Sequence, residues 1–399
     1  MGGTHLVGRI HGGVEVGAPP LFGRYGFDLD AGLAIPMGFA VAAVAYGPRL
    51  AEQLGWRRLL LAAALASAAW ICALQISDGP RALIGSLRGV HDYLAGLPLA
   101  QQHSVSGFLS SFTTEIDRYP IHVEGHPPGM VLLLWGLNAL GLSGPWWAAP
   151  LIIAVGASAV PAVLLAVRDV ADETTARRVA PFLVLVPAAV WMGTTADALY
   201  AGVGAWATAA GVLATSRSGR RSDVLAAAAG LTFGIGIFLS YGLVALGSVY
   251  LVVALSRRRF RPLFVTGAGV LAVVAVFAAL GFWWLEGLGA TRIRYYAGIG
   301  GRRPYWYFLF ANPAAFAVAL GPAVAAALAS LRDRRLWLLV GGALLAVFAA
   351  NVSGLSKAEV ERIWLPFVPW VLVSTASLRP RAWLGLQGAA ALGVQIFLR

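Results

Sequence analysis

The ionisable residues of this chain fall into a few short constellations, each able to do chemistry at a membrane surface. Asp78-Gly79-Pro80 places a carboxylate where an apolar run ends, beside a turn that fixes it. Such a group can act as a general base towards a substrate carried by a lipid, or serve only as a polar stop. Tyr119-Pro-Ile-His-Val-Glu-Gly-His-Pro-Pro-Gly129 holds Glu124 and His126 at the mouth of another apolar run. Proline sets φ at a helix start and needs no donor there. His122-Val-Glu124-Gly-His126 has the residue types of a zinc site, but Gly and Pro break the helix that would align both histidines, so no dedicated metal site is expected. Asp197 lies in a tight turn between two apolar runs, Thr194 to Tyr200, where an acid is costly without a partner or a task. Residues 286–306 carry Arg292, Arg294, Arg302 and Arg303 among Tyr295, Tyr296, Tyr305 and Trp306. Guanidinium offers paired donors to phosphate, and Trp306 suits an interfacial belt. Ser356 to Pro366 holds Lys357, the only lysine, with Glu359, Glu361 and Arg362. At helical spacing Lys357 and Glu361 share a face, and Glu359 lies near Arg362. The segment reads either as ion pairs at a helix start or as a phosphate clamp with its own counter-ions.

The elements that must position these groups are membrane helices. Of 399 residues, 59% are apolar and only 12% charged, whereas soluble domains carry about 25% charged residues. This excludes a soluble enzyme, a disordered chain and a disulfide scaffold; Cys72 is the single cysteine. No Gly-rich loop precedes Lys357, which excludes an ATP-driven pump with its own P-loop. The net charge of +12 comes from arginines clustered between apolar runs. That pattern orients helices and is not a nucleic-acid surface. Abundant Ala, Gly and Arg with one Lys fits a GC-rich bacterial genome.

Residues 1–31 read as an extracytoplasmic, mobile tail, and 32–399 as a single transmembrane domain. Its fold class is all-α and polytopic, with about 11–13 membrane helices judged against the ~20 residues a span needs. If the arginine clusters at 49–58, 217–221, 257–261, 332–335 and 379–381 are cytoplasmic, the opposite side holds the N-terminus, the loop 78–127, the Asp197 turn, the loop 286–304 and the turn 352–362. The run 224–255 must then cross twice, with a turn at Ser240-Tyr241-Gly242. Residues 129–141 are read as re-entrant or interfacial. A true crossing there is the alternative and requires another pass elsewhere. The loop 78–127 holds four of the six histidines with Asp78, Asp92, Glu115, Asp117 and Glu124, which makes it the chemical centre of the chain.

These signals, in this order over roughly residues 58–380, resemble the GT-C superfamily of membrane glycosyltransferases, in particular the branch of protein mannosyltransferases and aminoarabinose transferases. Asp78 resembles the acid early in the family's first large outer loop. Glu124-Gly-His126-Pro-Pro-Gly129 resembles the charged residue before Pro-Pro and an apolar helix. Gly141 to Trp147 resembles the aromatic turn that follows, Asp197 the acid of the second outer turn, and Gly234 to Gly242 the small-residue helix hairpin. Gly79 stands where many members carry a second acid, and His126 where many carry Lys; no large C-terminal soluble domain is present.

The resemblance implies a multi-pass cell-membrane enzyme with an extracytoplasmic active site. It would move a sugar, with inversion, from a polyprenyl-phosphate donor to a glycan, lipid or protein acceptor. Asp78 is then the catalytic base. Glu124, His126, Asp197, Tyr241, Arg292, Arg294, Tyr295, Lys357, Glu359 and Arg362 are the substrate-binding candidates, the cations stabilising the leaving phosphate. A divalent cation, Mg or Mn, is an optional cofactor. The rival reading is a transporter or lipid-linked sugar flippase, where charged residues also mark a substrate path, though no internal repeat is visible. A membrane scaffold without activity is a third.

Overall fold

A computed structural model describes residues 13–193 and 195–398, and every regular element among them is helical. Ala34–Gln53 (α1) and Trp56–Ile76 (α2) form a hairpin turned at Leu54 and Gly55. The polar segment after it contains Tyr93–Ala100 (α3) and leads into Gly129–Ala139 (α4). Pro145–Ala157 (α5) and Ala159–Val170 (α6) continue as one rod. Next come Glu173–Val184 (α7), Ala196–Thr215 (α8), Gly219–Leu239 (α9), Leu243–Ser256 (α10) and Phe260–Ala279 (α11). The last third holds Trp284–Ala297 (α12), Tyr305–Leu320 (α13), Pro322–Ser330 (α14), Arg334–Val352 (α15) and Pro380–Phe397 (α16). Between α15 and α16, residues 360–377 form a chain of short helical turns.

Seven of these elements are long and apolar enough to cross a membrane: α1, α2, the α5–α6 rod, α8, α9, α11 and α15. The pair α13 and α14, bent by 97°, makes an eighth if it is one span. The chain is therefore an all-α, multi-pass membrane protein. The count of about eleven to thirteen read from ~20-residue apolar runs exceeds this because prolines break several runs into shorter pieces. Pro187 ends the stretch begun by α7, and Pro366 and Pro369 divide residues 360–377. The run 224–255 does divide at Ser240–Gly242, into α9 and α10. At 11 residues α4 is too short to span. Its first residue, Gly129, lies against the Phe238 backbone at the end of α9, where any Cβ would collide.

Ion pairs gather the arginine clusters at one end of the bundle. Asp169, closing α6, takes Arg257 at 2.7 Å and Arg217 at 3.4 Å. Arg177 donates to the carbonyls of Ala51 and Leu54 at 2.6 and 2.8 Å, and Arg335 reaches Asp172 at 3.4 Å. The other end carries the polar loops. The segment expected to be a loop at 286–304 is largely the helix α12, and residues 13–30, expected as part of a mobile tail, are laid against this end. Val14 and Val16 are buried against Phe308, Ala311 and Ala358, and Glu15 clasps Arg302 at 2.7 and 3.0 Å. Residues 1–12 lie outside the described residues.

The centre of the bundle is α8. Of its most apolar stretch 78% is buried in protein, against 11% for α11, so α11 faces lipid and α8 is the fixed centre of the packing. Small residues allow this: Gly202 meets the Val155 backbone of α5, and Gly156 meets Ala198 of α8. The bend between α13 and α14 is set by Gly321, whose φ of +81° favours glycine. A bend frees backbone polar groups that lipid cannot satisfy. Gln387 of α16 satisfies them, donating to the Leu320 carbonyl at 2.8 Å and accepting from the Ala323 amide at 3.2 Å. Gln387→Leu leaves both orphaned and is expected to destabilise the protein by about 2–6 kcal/mol, about 1–3 for each group. Thermal melting in detergent measures it; an unchanged midpoint would show that the bend does not depend on Gln387.

Candidate active site

The cluster at the end opposite the arginine ion pairs is built on Asp197, in the first turn of α8 and 2% exposed. Arg362 donates to its Oδ2 at 3.0 Å and to Glu359 Oε2 at 2.8 Å, so one guanidinium bridges two acids far apart in sequence. Arg303 approaches Glu359 at 3.8 Å. Ala358 and Glu359 both have left-handed backbone, φ +72° and +61°, which costs non-glycine residues about 1–3 kcal/mol each. That strain turns the Glu359 carboxylate towards the two arginines, and it stops any helix from starting before Val360. The expected Glu359–Arg362 neighbourhood is present. The expected Lys357–Glu361 helical pair is not, because the left-handed residues between them divert the chain.

Lys357 instead points inward. Its Nζ donates to the carbonyls of Gly300 at 2.7 Å and Arg303 at 3.0 Å, and lies 4.9 Å from the Tyr296 ring centre. Arg303 returns a bond to the Lys357 carbonyl at 2.6 Å, and the Lys357 amide donates to Tyr295 Oη at 2.9 Å. Burial pushes the Tyr295 phenol up to about 12. Lys357, Arg303 and Tyr295 thus clasp the segment 298–303 to 356–362 and are not aimed at a ligand.

The segment 78–127 contributes the remaining groups, held by its own aromatic core of Phe108, Phe112 and Tyr119. Asp92 immediately precedes α3, makes no capping bond with its side chain and is 5% exposed; its Oδ2 lies 3.4 Å from His122 Nδ1, and its Oδ1 has no hydrogen-bond partner among the described residues. Tyr200 of α8 donates to the Tyr93 hydroxyl at 3.0 Å, tying loop to bundle. Burial, with Tyr200 and Asp197 nearby, holds the Tyr93 phenol well above its ordinary value. The His126 ring packs on Tyr93 and Tyr200, with centroids 5.8 and 5.7 Å apart. Burial pushes its imidazole down to about 4, against the pull of Asp197. His126 is therefore neutral at pH 7. Its Nδ1 sits 3.0 Å from the His122 carbonyl, which only accepts, so Nδ1 carries the proton and Nε2 is an acceptor. A protonated His126 gripping phosphate does not agree with this environment.

Glu124 and Arg294 meet through two contacts of 3.3 Å, and Thr291 donates to the Glu124 carbonyl at 3.0 Å. Both partners on the α12 side come from the arginine-rich segment singled out in the sequence. Arg292, two residues earlier on the other side of α12, is exposed and 6.0 Å from the Tyr296 ring. Tyr241 packs on Trp284 beneath α12, and burial raises its phenol. Asp78 is placed apart: it is exposed, takes a bond from Gln395 at 3.2 Å, and feels Asp30 as its charged neighbour.

The structure thus joins His126, Asp197, Glu359 and Arg362, and joins Glu124 to Arg294, but leaves Asp78 outside the hydrogen-bonded cluster. It adds Asp92, Tyr93, His122 and Tyr200. Among the described residues no group of three or more His, Cys, Asp and Glu side chains converges to hold a metal ion.

Glu361 lies next to this cluster, 1% exposed, with Oε1 accepting from the Phe22 amide at 2.8 Å and Oε2 unpartnered among the described residues. Burial pushes its carboxyl up to about 7. A carboxyl whose folded value is raised favours the fold fully below its unfolded value, and this contribution is lost as pH rises through about 7. Glu361→Gln keeps the acceptor and removes the titration. Melting temperature should fall from pH 5 to 8 in the parent and less steeply in the variant, which is the more stable at pH 8; parallel curves would rule this out.

The chain matches no protein-family model, and no curated protein matches it.

Proposed function

We propose that this protein is a membrane glycosyltransferase that moves a sugar from a polyprenyl-phosphate donor to a hydroxyl acceptor at the outer end of the bundle. The observation that carries the reading is Asp92: a buried carboxylate with an unpartnered oxygen, against His122 and next to the Tyr93 and Tyr200 phenols on which His126 packs. In this reading the base moves from Asp78 to Asp92. Asp92 takes the proton of the acceptor hydroxyl as that oxygen bonds to the anomeric carbon. The bond from that carbon to the phosphate oxygen breaks, and the electron pair leaves with polyprenyl phosphate. Attack opposite the leaving group inverts the centre. Partly exposed Arg294, held beside the cluster by Glu124, meets the developing phosphate charge. His122 orients Asp92, and His126 and Tyr93 hydrogen-bond the sugar. The Asp197–Arg362–Glu359 bridge positions the loop. No step is assigned to a divalent cation.

The test uses purified protein in detergent with a panel of labelled polyprenyl-phosphate sugars and follows release of polyprenyl phosphate. Release by the parent and its loss in Asp92→Asn supports the reading. No release from any donor, with unidirectional lipid or solute movement in proteoliposomes, would replace it with the transporter.

A further inference from the structure

At the arginine-rich end, where the turn from α8 enters α9, Arg217, Arg220, Arg221, Val224 and Leu225 line a depression of about 530 Å³. Two of its three cations, Arg220 and Arg221, differ from Arg217 and from the arginines nearby. Arg217 and Arg257 are neutralised by Asp169, and Arg261 by Asp223 at 2.8 Å. No carboxylate among the described residues pairs with Arg220 or Arg221, and both are exposed. An excess of positive charge at this end would orient the helices wherever it lay. Here it sits over an apolar wall. Arg220 is four residues before Val224, and exposed Val224, Ala228, Leu231 and Ile235 follow at helical spacing on the same face of α9. A guanidinium therefore heads a continuous lipid-facing stripe, as a phosphate heads an acyl chain.

We infer that this depression binds the phosphodiester headgroup of an anionic phospholipid of the adjoining leaflet. Arg220 and Arg221 would contact the phosphate, and Val224 to Ile235 the acyl chain. Basic pockets at this depth select anionic lipids, with about 1 kcal/mol per arginine, or about fivefold in affinity each. The inference is independent of the proposed transfer reaction at the other end.

Native mass spectrometry of the full chain, released from detergent with equimolar phosphatidylglycerol and phosphatidylcholine, tests it. The parent should retain phosphatidylglycerol at least fivefold over phosphatidylcholine. Arg220→Gln with Arg221→Gln should abolish that preference. Arg57→Gln with Arg58→Gln, which removes equal charge from exposed arginines of another cluster, should preserve it. Equal retention of both lipids by the parent, or equal loss in both double variants, overturns the site. Competition by millimolar inorganic phosphate as effective as by the lipid would show an anion site only and also overturns it. Unchanged melting temperatures in lipid-free detergent confirm that the variants fold.

Discussion

Asp92→Asn is expected to lower sugar transfer by about 10²–10⁴-fold, the usual contribution of a positioned base, with its melting temperature near that of the parent. Asparagine has the same shape and can still meet His122, so folding is preserved while the proton acceptor is lost. Asp78→Asn is the matched control. Its carboxylate is exposed, is held by Gln395 and has Asp30 for a neighbour, so its loss should cost less than tenfold. Release of polyprenyl phosphate under single-turnover conditions measures both. The reverse result, with Asp78→Asn inactive and Asp92→Asn active, would place the chemistry beside Gln395 and remove the cluster around His126 from it. The pH profile adds a second reading. Since burial keeps His126 neutral down to about pH 4, no inflection near pH 6.5 should arise from it.

Most of the architecture was legible because hydrophobic run length and arginine placement are local signals. The break at Ser240–Gly242 followed from sidedness alone, although α10, at 14 residues, is not among the helices long enough to cross. What local signals cannot report is which polar groups meet. Asp92, His122, Asp197 and Arg362 are spread over most of the chain, and only the packing of α3 and residues 360–363 around α8 assembles them. The sequence favours Asp78 as the base because Gly-Pro after it is a conspicuous punctuation, whereas Asp92, the base of the proposed reading, precedes an ordinary Tyr-Leu-Ala run. Lys357 misled for a different reason. Its uniqueness suggested a ligand, but the left-handed residues after it turn it towards backbone carbonyls. Helical spacing assumes right-handed backbone throughout, and one strained pair defeats it.

Arg362→Met is expected to be the most destabilising single change in the outer end, by about 3–5 kcal/mol. It strips the counter-charge from Asp197, which is 2% exposed and therefore poorly solvated. It also frees Glu359, whose strained backbone is held in place by the same guanidinium. The cost of leaving a buried charge uncompensated exceeds the value of the pair itself, and this makes the double variant informative. Asp197→Asn with Arg362→Met removes both charges and should cost less than the sum of the single variants, with a coupling of about 1–3 kcal/mol. Unfolding in mixed micelles with rising sodium dodecyl sulfate gives all three free energies. Additivity would mean that Asp197 and Arg362 act separately, and then the bridge could not be what fixes the loop over α8. Coupled loss, with transfer abolished in the single variants and not restored in the double one, would assign the bridge a positioning role. Stability would recover when both charges go, whereas the geometry that Arg362 imposes on Glu359 would not.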